Sequence, residues 1–114
     1  MKFNELSEFT KDVKVLSKRF RSLPKDIEVV QQILLFFPTE RPPFSYRLNG
    51  LKTTTYIVKV KKMACQSIKG KGVQSGLRLV YAYLPEEDCI TFIEVYHKTD
   101  KLSENRMRIQ ENFQ

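Results

Sequence analysis

Five side chains give this sequence its chemistry: Lys59, Lys61, Arg78, His97 and Lys98. Lys59 and Lys61 stand two apart in Tyr56-Ile57-Val58-Lys59-Val60-Lys61, so a strand there turns both to one side and Val58 and Val60 to the other. Arg78 is the one charge in the apolar run Leu77 to Leu84, and a lone guanidinium in a stretch fit for burial is costly unless an anion meets it. His97 is the only histidine, and its unperturbed pKa suits proton transfer near neutrality. On neighbouring strands about 4.8 Å apart these groups can converge on one phosphate. Arg78 would grip it with its fork, the lysines would add point charges, and a base and an acid would move the protons of RNA cleavage without a metal. Each residue also has a plainer role. Alternating lysines form a solvated sheet face, Arg78 can pair with Glu94 across the sheet, and a histidine at a strand end can be a surface residue. Strict alternation along Cys89 to Tyr96 puts His97 with Thr91, Ile93 and Val95, and Tyr96 and Lys98 with Glu94.

The elements that position these groups are legible from periodicity. Met1 to Leu6 reads as a short first strand. Ser7 is a candidate N-cap for a helix whose inner face is Phe9, Val13, Leu16 and Phe20, with Lys11, Lys14 and Lys18 outside. Pro24 suits the first turn of a second helix, with Ile27, Val30, Leu34 and Phe37 on one face and Pro38 stopping it. So short a link predicts an antiparallel helical hairpin. After the breaker-rich stretch Pro38 to Pro43 come a short extended piece at Phe44 to Leu48, a strand over Thr53 to Met63, and a glycine-bearing loop over Ala64 to Ser75. Two strands follow, Leu77 to Leu84 and Cys89 to Tyr96, joined by Pro85-Glu86-Glu87-Asp88, which reads as a solvated acidic cap. Ser103 is a candidate N-cap for a last helix with Leu102, Ile109 and Phe113 on one side. The expected fold is a single α+β domain over 1–114. In it an antiparallel sheet is covered on one face by the N-terminal helical hairpin, with a short C-terminal helix, and basic side chains collect on the other face.

Charge distribution narrows the partners. The 114 residues carry a formal net charge of +7, and Arg41 to Pro85 holds nine basic residues with no Asp or Glu, where an even spread would put about five acids. Such a field attracts polyanions, nucleic acid or an acidic protein before a membrane surface. The longest apolar run is Ile33 to Phe37, too short to span a bilayer, and the N-terminus lacks a secretion-signal core, so a cytoplasmic protein is expected. Two cysteines, Cys65 and Cys89, are expected as free thiols. One histidine and two distant cysteines offer no metal-ligand spacing, and Gly70-Lys71-Gly72 lacks the Walker pattern, so neither metal nor cofactor is expected.

The order of these residues resembles the RelE/ParE toxin superfamily. The carrying motif is Ser75-Gly76-Leu77-Arg78-Leu79-Val80-Tyr81, then a turn and an apolar strand closing on Val95-Tyr96-His97-Lys98. The lysine-bearing strand Tyr56 to Lys61 and the helices before it match in order. The resemblance implies a toxin of a type II toxin–antitoxin pair, a RelE-like mRNA endoribonuclease acting on the ribosome; the alternatives are a ParE-like gyrase inhibitor and a catalytically degenerate interaction module of the same fold. It also implies a cognate antitoxin protein as partner. It matches Lys59 and Lys61 to the catalytic-strand lysines, Arg78 to the transition-state arginine, Lys98 to a second phosphate-binding cation, and His97 to an acid or base. Lys62, Lys69, Lys71 and Tyr96 are then expected to bind RNA. The chain departs from the pattern in the longer loop Ala64 to Ser75 and in having no tyrosine from Ser103 to Gln114, a role for which Tyr96 is the candidate substitute.

Overall fold

The computed structural model describes residues 1–114. The chain runs β1 (Lys2–Glu5), α1 (Ser7–Leu16), α2 (Leu23–Phe36), β2 (Ser45–Arg47), β3 (Tyr56–Val60), β4 (Leu77–Leu84), β5 (Cys89–His97) and α3 (Arg106–Asn112), with a 3₁₀ turn at Pro85–Glu87 between β4 and β5. The five strands form one sheet in the order β1-β5-β4-β3-β2. The sheet is mixed, which corrects the expectation of a purely antiparallel one. Strands β2 to β5 pair antiparallel, but β1 lies parallel to β5, with Phe3 opposite Ile90. Strands joined by turns must reverse; β1 is separated from the others by both helices and is free of that constraint. No helix is long and apolar enough to cross a membrane.

Helices α1 and α2 cover one sheet face. Phe9, Leu16, Leu23, Ile27, Val30 and Leu34 join Val58, Val60, Leu79, Tyr81, Phe92 and Val95 in the main core. The two helices touch each other sparingly, so the antiparallel helical hairpin expected here is not a packed pair: each helix spends its single apolar face on the sheet. Phe37, expected on the inner face of α2, is instead its C-cap, exposed beneath the Arg41 guanidinium at 3.7 Å from the ring centroid. Ser7 is the first residue of α1 rather than its cap; Leu6 occupies that position.

The opposite face is not the open basic surface expected. Helix α3 and the segment through Leu48 and Leu51 close over it, and a second core forms from Ile57, Val80, Ala82, Ile93, Tyr96 and Ile109, with Phe113 against it. The cap of α3 is Asn105, whose side chain accepts from the Arg108 amide, not Ser103, and Leu102 is fully exposed. The strand expected over Thr53 to Met63 is confined to β3, because Met63 turns into the main core and Lys61 and Lys62 both donate backbone N–H groups to the Phe44 carbonyl. A bulge between β4 and β5 opposes Val80 to Glu94 and Tyr81 to Phe92, leaving Ile93 over. That extra residue reverses the alternation. Ile90 and Phe92 face the helices before it, Val95 after it, so His97 does not share a face with Thr91 and Ile93 as strict alternation implied.

Candidate nucleic-acid interface

One end of the sheet gathers cations. There β3 runs out into Lys61 and Lys62, β4 begins at Gly76-Leu77-Arg78, and β5 ends at His97-Lys98. Lys61, Lys62, Gln74, Gly76, Arg78 and Lys98 line a pocket of about 290 Å³ that no carboxylate enters. None of its four cations is in an ion pair, whereas Arg19, Lys59, Lys101, Arg106 and Arg108 all are.

Local structure fixes this arrangement. Arg78 does not pair with Glu94, which is held by Lys101 and by the Asn105 amide at 2.7 Å. Its Nη1 donates to the Lys61 carbonyl at 3.1 Å and to the Leu77 carbonyl at 3.4 Å. These bonds anchor the guanidinium across the mouth between β3 and β4 and leave its other N–H groups for an anion. Gly76 has φ +88°, in the left-handed region, and a Cβ there would lie 2.7 Å from His97 Nε2 and 3.3 Å from Lys98 Cε. A side chain at 76 would thus push His97 and Lys98 away, so glycine is required where the ends of β4 and β5 meet.

Other residues expected in the site lie elsewhere. Lys59 points to the face closed by α3 and is 14 % exposed; its Nζ donates to Glu104 Oε1 at 2.7 Å, and Glu104, 3 % exposed, also accepts from Arg106 Nε at 3.0 Å. Burial alone would raise the Glu104 carboxyl, but hydrogen bonds from Lys59 and the backbone, with the charges of Lys59 and Arg106, outweigh it and hold the group below the usual carboxylate range. Lys59 is therefore engaged as a structural partner and does not meet Lys61, Arg78 and Lys98. Tyr96 is buried in the second core with Lys101 Nζ 5.2 Å from its ring centroid. Burial first, then the nearby Glu104 and Glu94 charges, push its hydroxyl up to about 12 despite the opposing pull of Arg78.

His97 borders the pocket but turns from it. Its ring stacks on Phe20 at 5.6 Å between centroids. The Thr99 backbone N–H can only donate, so Nδ1 accepts at 3.2 Å, and Nε2 carries the hydrogen it gives to the Ser75 carbonyl at 3.0 Å. The imidazole thus ties the entry of β4 to the exit of β5. Lys69 and Lys71 are exposed on the loop beyond the pocket. Gln74 was missed from the sequence and carried no signal; Gly76 was read only as part of the Arg78 motif, not as a residue of the site. No three His, Cys, Asp or Glu side chains converge as metal ligands. Burial pushes the Cys65 thiol up; Cys89 is also buried, and both are free.

Comparison with family models, curated proteins and solved structures finds no significant match to this chain.

Proposed function

We propose that the protein binds RNA by its phosphate backbone at the Lys61–Lys62–Arg78–Lys98 pocket, as a RelE-like toxin that cleaves mRNA on the ribosome and is held in check by an antitoxin protein. The observation that carries this reading is the meeting of four unpaired cations, one a tethered guanidinium, around a pocket without an acid. Anchored cations of this kind suit a phosphodiester and the dianionic phosphorane formed when a ribose 2′-OH attacks it. In that step the 2′-oxygen bonds to phosphorus, the P–O5′ bond breaks, the 2′-OH proton leaves to a base and the 5′-oxygen receives one. Arg78 would stabilise the phosphorane, an ammonium of Lys61, Lys62 or Lys98 would protonate the leaving 5′-oxygen, and solvent water would take the 2′-OH proton.

A second reading has an observation of its own. Lys59 is bound to Glu104, His97 to Ser75 and Thr99, and Tyr96 is buried. With these groups occupied, the same pocket supports a binding module that recognises a polyanion without cutting it, or a ParE-like inhibitor of gyrase.

The deciding experiment maps mRNA cleavage on programmed ribosomes for wild type and Arg78→Ala, beside RNA binding by both. Cuts at the A-site codon that disappear in the variant support the nuclease. Binding that depends on Arg78 with no cuts by wild type selects the non-cleaving module, for which gyrase supercoiling is the next assay. No RNA binding by wild type overturns the RNA reading altogether.

A further inference from the structure

A second basic pocket lies at the same end of the molecule, where α1 passes into α2. It is a shallow, open depression lined by Lys18, Arg19, Arg21 and Lys69 around Ser22 and Ser67, with no apolar residue. Lys18, Arg21 and Lys69 are exposed and make no side-chain hydrogen bond or ion pair; Arg19 holds the half-exposed Asp100 at 2.9 Å. The floor is rigid. The Ser22 N–H donates to Ser67 Oγ at 2.9 Å and the Ser67 N–H donates to Ser22 Oγ at 2.8 Å. These two bonds pin the loop 61–76 to the start of α2. Beneath them the buried Asp26 carboxylate, in the first turn of α2, accepts from Ser22 Oγ at 2.6 Å and from the Gln66 N–H at 3.3 Å. The helix start is thus already met by the chain's own anion, and the attraction for a further one comes from the exposed cations.

The two basic pockets belong to one surface. Gln66, Ser67 and Lys69 of the loop line the second pocket, and Lys61, Lys62, Gln74 and Gly76 line the first. A chain of contacts also joins them. Gly76 meets His97 and Lys98, His97 stacks on Phe20 at 5.6 Å, and the Arg19 guanidinium lies 4.7 Å from the same Phe20 ring. A single phosphate needs one pocket. Two pockets flanking one loop, each lined by unpaired cations, suit a flexible polymer with a charge at every repeat. A single-stranded nucleic acid fits this demand.

We propose that the pocket of Lys18, Arg21 and Lys69 holds further phosphates of the same single-stranded RNA, so that the binding track runs from Arg78 and Lys98 around the loop 61–76 to the start of α2. This rests on the RNA reading of the first pocket. The track makes affinity depend on RNA length, since a short oligomer fills one pocket and a longer one fills both.

The test measures fluorescence anisotropy of single-stranded oligouridylates of about three and about twelve nucleotides, with wild type and with Lys18→Gln/Arg21→Gln/Lys69→Gln in the full chain. The substituted side chains are exposed and unpaired, so the thermal midpoint should be unchanged. The variant should bind the long probe roughly tenfold or more weakly at low salt and the short probe as wild type does. Its log–log salt slope on the long probe should fall by about two, from three lost contacts at about 0.7 each. Equal binding of the long probe by variant and wild type overturns the second pocket and leaves the first intact. A polyglutamate of matched charge that displaces RNA equally well from wild type, and fails equally with the variant, assigns the track to an acidic protein instead. Absence of binding to either probe by wild type overturns both proposals. Length-dependent binding without ribosomal cleavage retains the track and removes the nuclease.

Discussion

The fate of a charged side chain in this protein is decided by whether something covers the surface it stands on. Lys59 and Arg78 both look outward from central strands on the face opposite α1 and α2. Helix α3 closes over Lys59, and Glu104 compensates it; nothing acidic reaches Arg78, which is left with carbonyl oxygens and an open side. Removing Lys59 leaves the nearly buried Glu104 carboxylate with the half-exposed Arg106 as its one remaining ion-pair partner. Lys59→Met should therefore lower stability by about 2 to 4 kcal/mol in a urea melt, and Lys59→Met/Glu104→Leu should regain most of it. A double variant as unstable as the single one would show that the pair is not what Lys59 supplies. Glu104 also sets a pH dependence. Its folded pKa lies below the unfolded value near 4.5, so its contribution is full above that pH and fades as pH falls through the lower folded value. The difference in thermal midpoint between wild type and Glu104→Gln should thus be constant near neutrality and shrink below pH ~4. For Gly76→Ala, the left-handed φ and the 2.7 Å approach to His97 predict a loss of roughly 1 to 3 kcal/mol. Gly76→Ala/His97→Ala should recover only the steric part, leaving the backbone strain.

At the scale of elements, periodicity carried the helices well because each has a single face to bury. Phe9, Leu16, Ile27, Val30 and Leu34 are in the core where their spacing put them. The strands were legible as apolar runs, and the Arg78 strand and its partner are where the sequence put them. Their far side was not, because it depends on a contact between distant segments. Ile109 and Phe113 were readable as one side of a last helix, but nothing in their spacing says that this side lands on Ile57, Val80 and Ile93. With that contact unseen, Lys59 was grouped with Lys61 and Arg78. The bulge at Ile93 is the second illegible feature, since a single unpaired residue leaves no mark in the alternation of an apolar strand. The parallel placement of β1 is the third: pairing partners without a turn between them are set by the helix layer as a whole. The cover by α3 is testable. Ile109 is fully buried, and Ile109→Ala should cost about 2 to 5 kcal/mol while leaving RNA affinity of the folded fraction unchanged. A large loss of affinity without a loss of stability would instead connect α3 to the binding surface.

Over the whole molecule the charge is polarised. The loop 61–76 and the strand ends bearing Arg78 and Lys98 form one pole; Glu86, Glu87 and Asp88, exposed at the turn between β4 and β5, stand at the other. The eight residues of β4 separate these poles by about 26 Å. That distance is about three Debye lengths at physiological ionic strength, so the acidic turn is screened from anything at the basic pole; at 0.01 M salt the Debye length of about 30 Å exceeds the separation of the poles. Polarity of this kind orients an approaching polyanion toward the loop and away from the turn. Glu86→Gln/Glu87→Gln should accordingly leave the association rate of single-stranded RNA unchanged at physiological salt and raise it only near 0.01 M. Lys62→Gln or Lys98→Gln should weaken binding at both, because these groups act by contact. Stopped-flow association at the two salt concentrations separates the effects. If neutralising the acidic turn speeds association equally at both, the turn lies within contact distance of the bound RNA, and the track must be redrawn along the sheet rather than around its basic end.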